Sequence, residues 1–582
     1  MERFTAYHRS TPDMCWAADE KTVVIRVRTD KSADRATLMC SDPFINELTR
    51  KKSWYGKPFD MTLDMELEDG LIWRAQIKPP FRRLQYYFRL FSGDKEYLLF
   101  DNKLCVPEER DKSSELYYKF PWINPSDVFS APQWVRDTVW YQIMPDRFCR
   151  SERSGEVSYI APWGKPTRKP HHTYYGGDLK GMTERLPYLK ELGIGGIYLT
   201  PVFLSGSYHR YNTYDYKKID PLLGDEDDMR AFVDRAHELG IKIMLDGVFN
   251  HCGTEFFAWK DVCARSRASE YYDWFFINDE DFVKPRFDTA DGRYFTFSFW
   301  AGMPKLNTNY QGVKDYYIDI CSYWVREWDI DGIRFDVGDE VSHTFLRELR
   351  SALKSVKKDI FLLGEMWFDA INWLSGTEYD SVMNYPMSSC INDFSRKTDT
   401  TALSFEYALN RCLMMYPENV TQVLFNFLDT HDTTRVSEEC GGNTDLLIQR
   451  LTMLFTMPGT PCIYYGTEIA LRGRDASDNR SCMPWNEIEQ GGFDGILDEV
   501  KKLIAIRNDN AFLSGTEFGF IRHEEPRLLH YVRRDPDTGK RIGVCINAGD
   551  SAVQLSVDGR VLYSRLFEGG RLDKNGTIIY ES

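Results

Sequence analysis

Residues Gly332–His343 read GIRFDVGDEVSH, and this stretch decides the fold. Its first part, Gly332–Val337, is a short apolar run carrying a carboxylate, Asp336. A helix follows at once: Phe345, Leu346, Leu349, Leu353 and Val356 recur at helical spacing over His343–Val356. A brief apolar run leading into an amphipathic helix reads as a strand buried on both faces and the crossover that leaves it.

The same unit recurs on either side. Val139–Met144, Gly195–Val202 and Lys242–Val248 precede it; Ile360–Met366, Asp380–Pro386, Val423–His431 and Pro461–Gly466 follow. Between two of these runs, Met229, Phe232, Val233, Ala236 and Leu239 mark a helix over Asp227–Gly240, with Gly240 as its stop. Eight strand-then-helix units predict a (β/α)8 TIM barrel, an α/β fold, spanning residues 126–504. The connection after the third strand, His251 to Leu306, is too long for a bare loop and predicts an inserted subdomain over 251–308.

The flanks read differently. Residues 1–125 carry short strands such as TVVIRV (Thr22–Val27) and LQYYFRLF (Leu84–Phe91), which predict an N-terminal β-sandwich. Asn124–Gln133, with Pro125 and Pro132, is a linker. From 505 to 582, short strands separated by the turns DPDTG (Asp535–Gly539) and DKNG (Asp573–Gly576) predict a C-terminal β-sandwich domain.

A net charge of −15 argues against a partner of nucleic acid or an anionic membrane and suits a neutral ligand. Thirteen cysteines, an odd number with no CxxC pair, read as reduced thiols in a cytoplasmic protein. Met1–Trp16 lacks the apolar core of a signal peptide, and no stretch reaches the ~18 apolar residues of a membrane helix.

Acids recur at the strand ends: Asp246 in the third, Asp336 in the fourth, Glu365 in the fifth, Asp432 just past the seventh. In a barrel these ends converge on one face, where active sites are built. Converging buried acids repel one another, a cost that chemistry can justify. Retaining glycoside hydrolysis needs one ionised carboxyl to attack and one protonated carboxyl to donate. Arg334, two residues before Asp336 on the strand, points the same way and can hold it ionised.

The motifs DGVFNH (Asp246–His251), GIRFDVGDEVSH, LLGEMW (Leu362–Trp367) and FLDTHDTTR (Phe427–Arg435) stand in this order, with GIGGIYLTPVF (Gly193–Phe203) and GTPCIYYGTEI (Gly459–Ile469) around them. Together they resemble the core motifs of the α-amylase superfamily. MPKLN (Met303–Asn307) and the N-terminal sandwich resemble its cyclomaltodextrinase, neopullulanase and maltogenic amylase branch. The resemblance implies Asp336 as nucleophile, Glu365 as general acid/base and Asp432 as transition-state stabiliser. It implies His251 and His431 as hydrogen-bond partners of the sugar, Tyr211 as its stacking platform with His209 beside it, and Glu340 and Trp367 near the leaving side. Asp246 is expected to support Arg334.

The implied activity is hydrolysis of α-1,4 bonds, with α-1,6 bonds also within reach, in cyclodextrins, pullulan and maltooligosaccharides. A transglycosylase sharing the same covalent intermediate is the second reading. A non-catalytic glucan-binding protein is the third, and would be expected to have lost one of the acids. The branch also implies a homodimer, in which Phe44 of SDPF (Ser41–Phe44) is an aromatic that one copy can offer to the other's site. No cofactor is expected. Relatives hold calcium in an Asn/Asp-rich loop after the first strand; here that loop reads CRSERSG (Cys149–Gly155), which leaves only Asp178 as a ligand.

Overall fold

The computed structural model describes residues 4–152, 160–165, 173–279, 281–283, 287–475 and 478–582. Its centre is one sheet of eight parallel strands: β1 (Trp140–Ile143), β2 (Gly196–Leu199), β3 (Lys242–Gly247), β4 (Gly332–Phe335), β5 (Phe361–Gly364), β6 (Ser381–Val382), β7 (Phe425–Asn426) and β8 (Thr460–Tyr464). Neighbours run β6-β5-β4-β3-β2-β1-β8-β7. The ring closes between its two shortest strands through a parallel bridge from Met383 to Phe425. The Asn384 N–H donates to Phe425 O at 2.9 Å, and Asn384 Nδ2 donates to Asn426 Oδ1 at 2.8 Å. Every residue in these strands except Lys242 is buried, the burial that makes the runs continuously apolar.

The helix after β4 spans His343–Val356, and its buried face is Phe345, Leu346, Leu349 and Leu353. The helix before β3 spans Glu226–Glu238, capped by Asp225, whose side chain accepts from the Asp228 N–H; Gly240 follows with φ +72°. The connection after β3 is a small folded unit. A helix, Phe257–Arg265, sets Trp259 against Phe275, Phe282 and Tyr294, and a bridge from His251 to Lys305 ties the ends of the insert together.

The chain divides into two compact units. One holds the barrel, the insert and the C-terminal strands. The latter form a six-stranded antiparallel sheet with Leu528, Cys545, Leu572 and Ile578 in its core. Thr456, ending the helix Thr444–Thr456, bonds Tyr531 OH at 2.6 Å. The other unit runs to Ser130 and also takes in residues 374–376 and 400–421. Its two antiparallel sheets face each other: Val23, Ile25 and Val27 of one pack with Leu38, Phe88 and Leu90 of the other. The helix Ala402–Met414 joins this unit, Asn410 Nδ2 donating to Glu66 O at 2.9 Å, and Arg74 pairs with Glu418 at 2.8 Å.

Candidate active site

Register brings the first pair together. Asp246 on β3 is the direct partner of Arg334 on β4. Arg334 is fully buried, and its Nη1 lies 3.0 and 3.1 Å from the two Asp246 oxygens. The same Nη1 donates to Asp336 Oδ1 at 2.8 Å, and Nη2 is 2.9 Å from Glu365 Oε2. One guanidinium thus serves three carboxyl groups from three successive strands. Tyr198 OH and Tyr211 OH donate to Asp246 Oδ2 at 2.6 and 2.9 Å, so Asp246 is saturated and faces inward as a support for Arg334.

The backbone after Asp336 is unusual. Val337 adopts φ +48°, ψ +50°, the left-handed region, which a β-branched residue enters at a cost of about 1–3 kcal/mol. The conformation is held on both sides: the Glu365 N–H donates to Phe335 O at 3.0 Å and the Gly338 N–H to Glu365 O at 3.2 Å. It aims the Val337 N–H at Glu365 Oε2, 2.9 Å away. That oxygen is therefore engaged by Val337 and Arg334, and Oε1 is the oxygen free to carry a proton.

The third acid is held from the opposite wall. Asp432 Oδ2 lies 2.9 Å from His431 Nε2, and Oδ1 accepts from Arg480 at 3.0 Å. Gln142 Nε2 donates to His431 Nδ1 at 2.8 Å, which places the ring proton on Nε2, facing Asp432 and Tyr211 OH.

These groups surround a cavity of ≈ 460 Å³, in the range of ligand sites. Asp336, Glu365 and Asp432 line it together with His209, Tyr211, His251, Glu340 and Trp367. Arg334 and His431 lie beneath its wall, 0% and 1% exposed; His431 spends its nitrogens on Gln142, Tyr211 and Asp432. His251 stacks on Phe297 with centroids 4.9 Å apart, and its Nε2–H donates to Tyr211 O at 3.2 Å. His209 Nδ1 accepts from the Tyr211 N–H at 3.2 Å, leaving Nε2–H as its donor. Glu340 Oε2 is 3.4 Å from Lys305 of the MPKLN run. Trp367 is half exposed and stacks on Tyr385 at 3.7 Å.

The electrostatics separate the acids. Burial raises Asp336; Arg334 pulls it back and Glu365 and Asp246 push it up again, so it stands above the usual carboxylate range. Burial also opposes the charge of Asp432, but His431 and Arg480 more than offset it and hold that carboxyl below the usual range. Burial drives His209 and His251 down to about 3, so both are neutral hydrogen-bonding groups at working pH.

Arg480, Asp339, Phe297 and Met303 also line the cavity, and sequence reasoning singled out none of them as site residues. Arg480 sits in an aperiodic loop after β8; besides Asp432 it reaches His431 O at 2.9 Å and Tyr208 OH at 3.0 Å. Met303 opens the MPKLN run, so the signal for it was adjacent. Asp178 offers little to a cation: Oδ1 caps the helix Leu179–Leu192 through the Gly181 N–H at 2.7 Å, and Oδ2 accepts from Ser151 Oγ at 2.7 Å. Residues 153–155 of the loop read for calcium lie outside the described residues.

A parallel barrel with three acids and a buried arginine at its strand ends is the framework of a glycoside hydrolase. Residues 142–513 match the family described as alpha amylase, catalytic domain, and residues 1–124 match alpha amylase, N-terminal ig-like domain; the chain belongs to the α-amylase family. It is similar to a cyclomaltodextrinase of Geobacillus thermopakistaniensis (strain MAS1), 39% identical over 95% of this chain and 92% of that one. It is also similar to neopullulanase 2 of Thermoactinomyces vulgaris, 41% identical over 80% and 78%. Among solved structures, a cyclomaltodextrinase superposes with a TM-score of 0.87 at 32% identity, covering 99% of this chain and 97% of that one.

Proposed function

We propose that the protein hydrolyses α-glucosidic bonds in cyclodextrins, pullulan and maltooligosaccharides with retention of anomeric configuration. The observation that carries this reading is the shared guanidinium: Asp336 and Glu365 both touch Arg334, at 2.8 and 2.9 Å. Two carboxyl groups on one buried cation suit a nucleophile and an acid/base that act on the same bond, and retention is the course typical of the α-amylase family to which the chain belongs. Asp336 attacks the anomeric carbon while Glu365 Oε1 passes its proton to the leaving oxygen. Glu365 then takes a proton from water, which releases the sugar from Asp336. Asp432, kept ionised by His431 and Arg480, faces the developing positive charge. The relatives named for cyclomaltodextrin and pullulan support the choice of substrates.

The working form is a homodimer in the cytoplasm. Phe44 and Leu48, 50% and 68% exposed on the N-terminal unit, are apolar groups that a second copy would cover. All thirteen cysteines are free thiols, which suits a reducing compartment, and among the described residues no helix is long and apolar enough to cross a membrane.

Side-by-side digestion of β-cyclodextrin, pullulan and soluble starch, with products separated by chromatography, tests the substrate reading. The ring should open fastest and maltose accumulate; fastest attack on starch with long intermediates would overturn it. Sedimentation showing only monomer at micromolar concentration would overturn the dimer.

A further inference from the structure

Tyr208 stands just before His209 and Tyr211 in the chain, yet it does not line the cavity with them and is buried. Between them Arg210 turns the backbone with φ +62°, in the left-handed region. The buried Arg210 guanidinium donates to Tyr208 O at 2.7 Å and to Asp220 Oδ2 at 2.9 Å, which pins the Tyr208 backbone.

The Tyr208 side chain is gripped at both ends. The Arg147 guanidinium lies against the rings of Tyr208 and Tyr175, 4.3 and 4.4 Å from their centroids, and Arg147 Nη2 donates to Thr173 O at 2.8 Å. A planar cation stacked on aromatic faces holds the rings in place. At the far end, Tyr208 OH accepts from Arg480 Nη1 at 3.0 Å.

Arg480 engages three partners with three different nitrogens. Nε donates to His431 O at 2.9 Å, Nη1 to Tyr208 OH, and Nη2 to Asp432 Oδ1 at 3.0 Å. Two of these partners are consecutive residues of the segment that carries Asp432 itself. A guanidinium held by them alone would drift as that segment drifts. Tyr208 comes from the loop that follows β2, so its hydroxyl is the reference point supplied by another part of the barrel.

We propose that Tyr208 is a positioning residue: its hydroxyl sets where Arg480 stands and, through Arg480, where the Asp432 carboxylate points. The inference rests on the glucan-hydrolase reading above and deepens it. Without the hydroxyl, Arg480 Nη1 is a donor left unpaired, and the guanidinium gains by turning toward water and loosening its bond to Asp432. Asp432 acts on positive charge that develops in the transition state, so the loss falls on kcat and leaves substrate binding nearly as it was.

The test is steady-state kinetics of full-length Tyr208→Phe, which removes the hydroxyl and keeps the ring on Arg147. On the α-glucan that the wild type cleaves fastest, kcat should fall about three- to tenfold, the scale of one hydrogen bond, with KM and the unfolding temperature near wild type. The same substitution made in Arg480→Met should lower kcat no further, because the two residues act as one unit. Wild-type kinetics in Tyr208→Phe, a raised KM with unchanged kcat, or an equal fall in both backgrounds would overturn the role while the glucan-hydrolase reading stands. If the wild-type protein cleaves no α-glucan, the parent reading falls and takes this role with it.

Discussion

Arg334 Nη1 bonds Asp336 Oδ1 at 2.8 Å and Asp246 Oδ1 at 3.0 Å, so one buried cation holds the proposed nucleophile and its inner neighbour together. Asp336 must be ionised to attack. Burial raises its pKa, and Arg334 is the main opposing influence. Arg334→Gln should therefore move the acid limb of the kcat/KM profile to higher pH, because activity is lost as pH falls through a pKa that has risen further. The loss in kcat/KM at the optimum should be about 10²–10³-fold, the scale seen when a group that stabilises transition-state charge is removed. The profile on β-cyclodextrin checks this; a limb that stays in place or shifts to lower pH contradicts the role given to Arg334.

His251 and His209 are held neutral, at about 3, by burial. They should contribute hydrogen bonds and no titration between pH 5 and 8. His251→Gln should lower kcat/KM while leaving both limbs of the pH profile where they are. A limb that vanishes in this variant would show that the imidazole titrates in the working range.

Much of this site was legible in the sequence because barrel strands join two signals at one place. Each is a short apolar run, buried on both faces, and several end in an acid, so Asp246, Asp336 and Glu365 could be ranked before any coordinates. His209, Tyr211, Glu340 and Asp432 lie outside such runs and were read from the motif resemblance, whereas residues outside both runs and motifs were silent. Arg480 belongs to a loop with no period, and its partners, Asp432, His431 O and Tyr208 OH, are far away in sequence. His431 was read as a sugar ligand from its motif, but no local pattern says that Gln142, from β1, would engage its other nitrogen. The helix Ala402–Met414 has a readable face, yet its packing on the strand Thr62–Leu67 is a long-range fact that periodicity cannot carry.

Arg480 should matter through Asp432. Hydrogen bonds to charged groups contribute about 1.5–3 kcal/mol, so Arg480→Met should lower kcat/KM about 10–100-fold. Thermal unfolding should change little by comparison. Full activity in the purified variant would mean that His431 alone holds Asp432 in place.

The N-terminal sandwich carries its own pH dependence. His8 is buried, with Nδ1 2.6 Å from Arg26 O and Nε2 2.9 Å from Tyr86 OH, and burial lowers it from 6.5 to about 4. Between those values the unfolded chain binds the proton and the folded chain does not, so stability falls as pH drops from 6.5 toward 4. The loss from this group is about 3 kcal/mol across the window. Urea unfolding of the full chain at pH 7 and pH 4.5 should show the drop, and His8→Gln should reduce the slope; an unchanged slope in the variant would assign the effect to other groups.

The central claim is that Asp336 forms a covalent bond to the sugar, and trapping tests it most directly. Glu365→Gln incubated with α-maltosyl fluoride, whose leaving group needs no proton, should accumulate a glycosyl-protein because water is no longer activated. Mass spectrometry of the digested protein should place one maltosyl unit on the peptide that contains Asp336. A label on Asp432, or initial release of the β-anomer with no label from wild-type protein, would contradict the account.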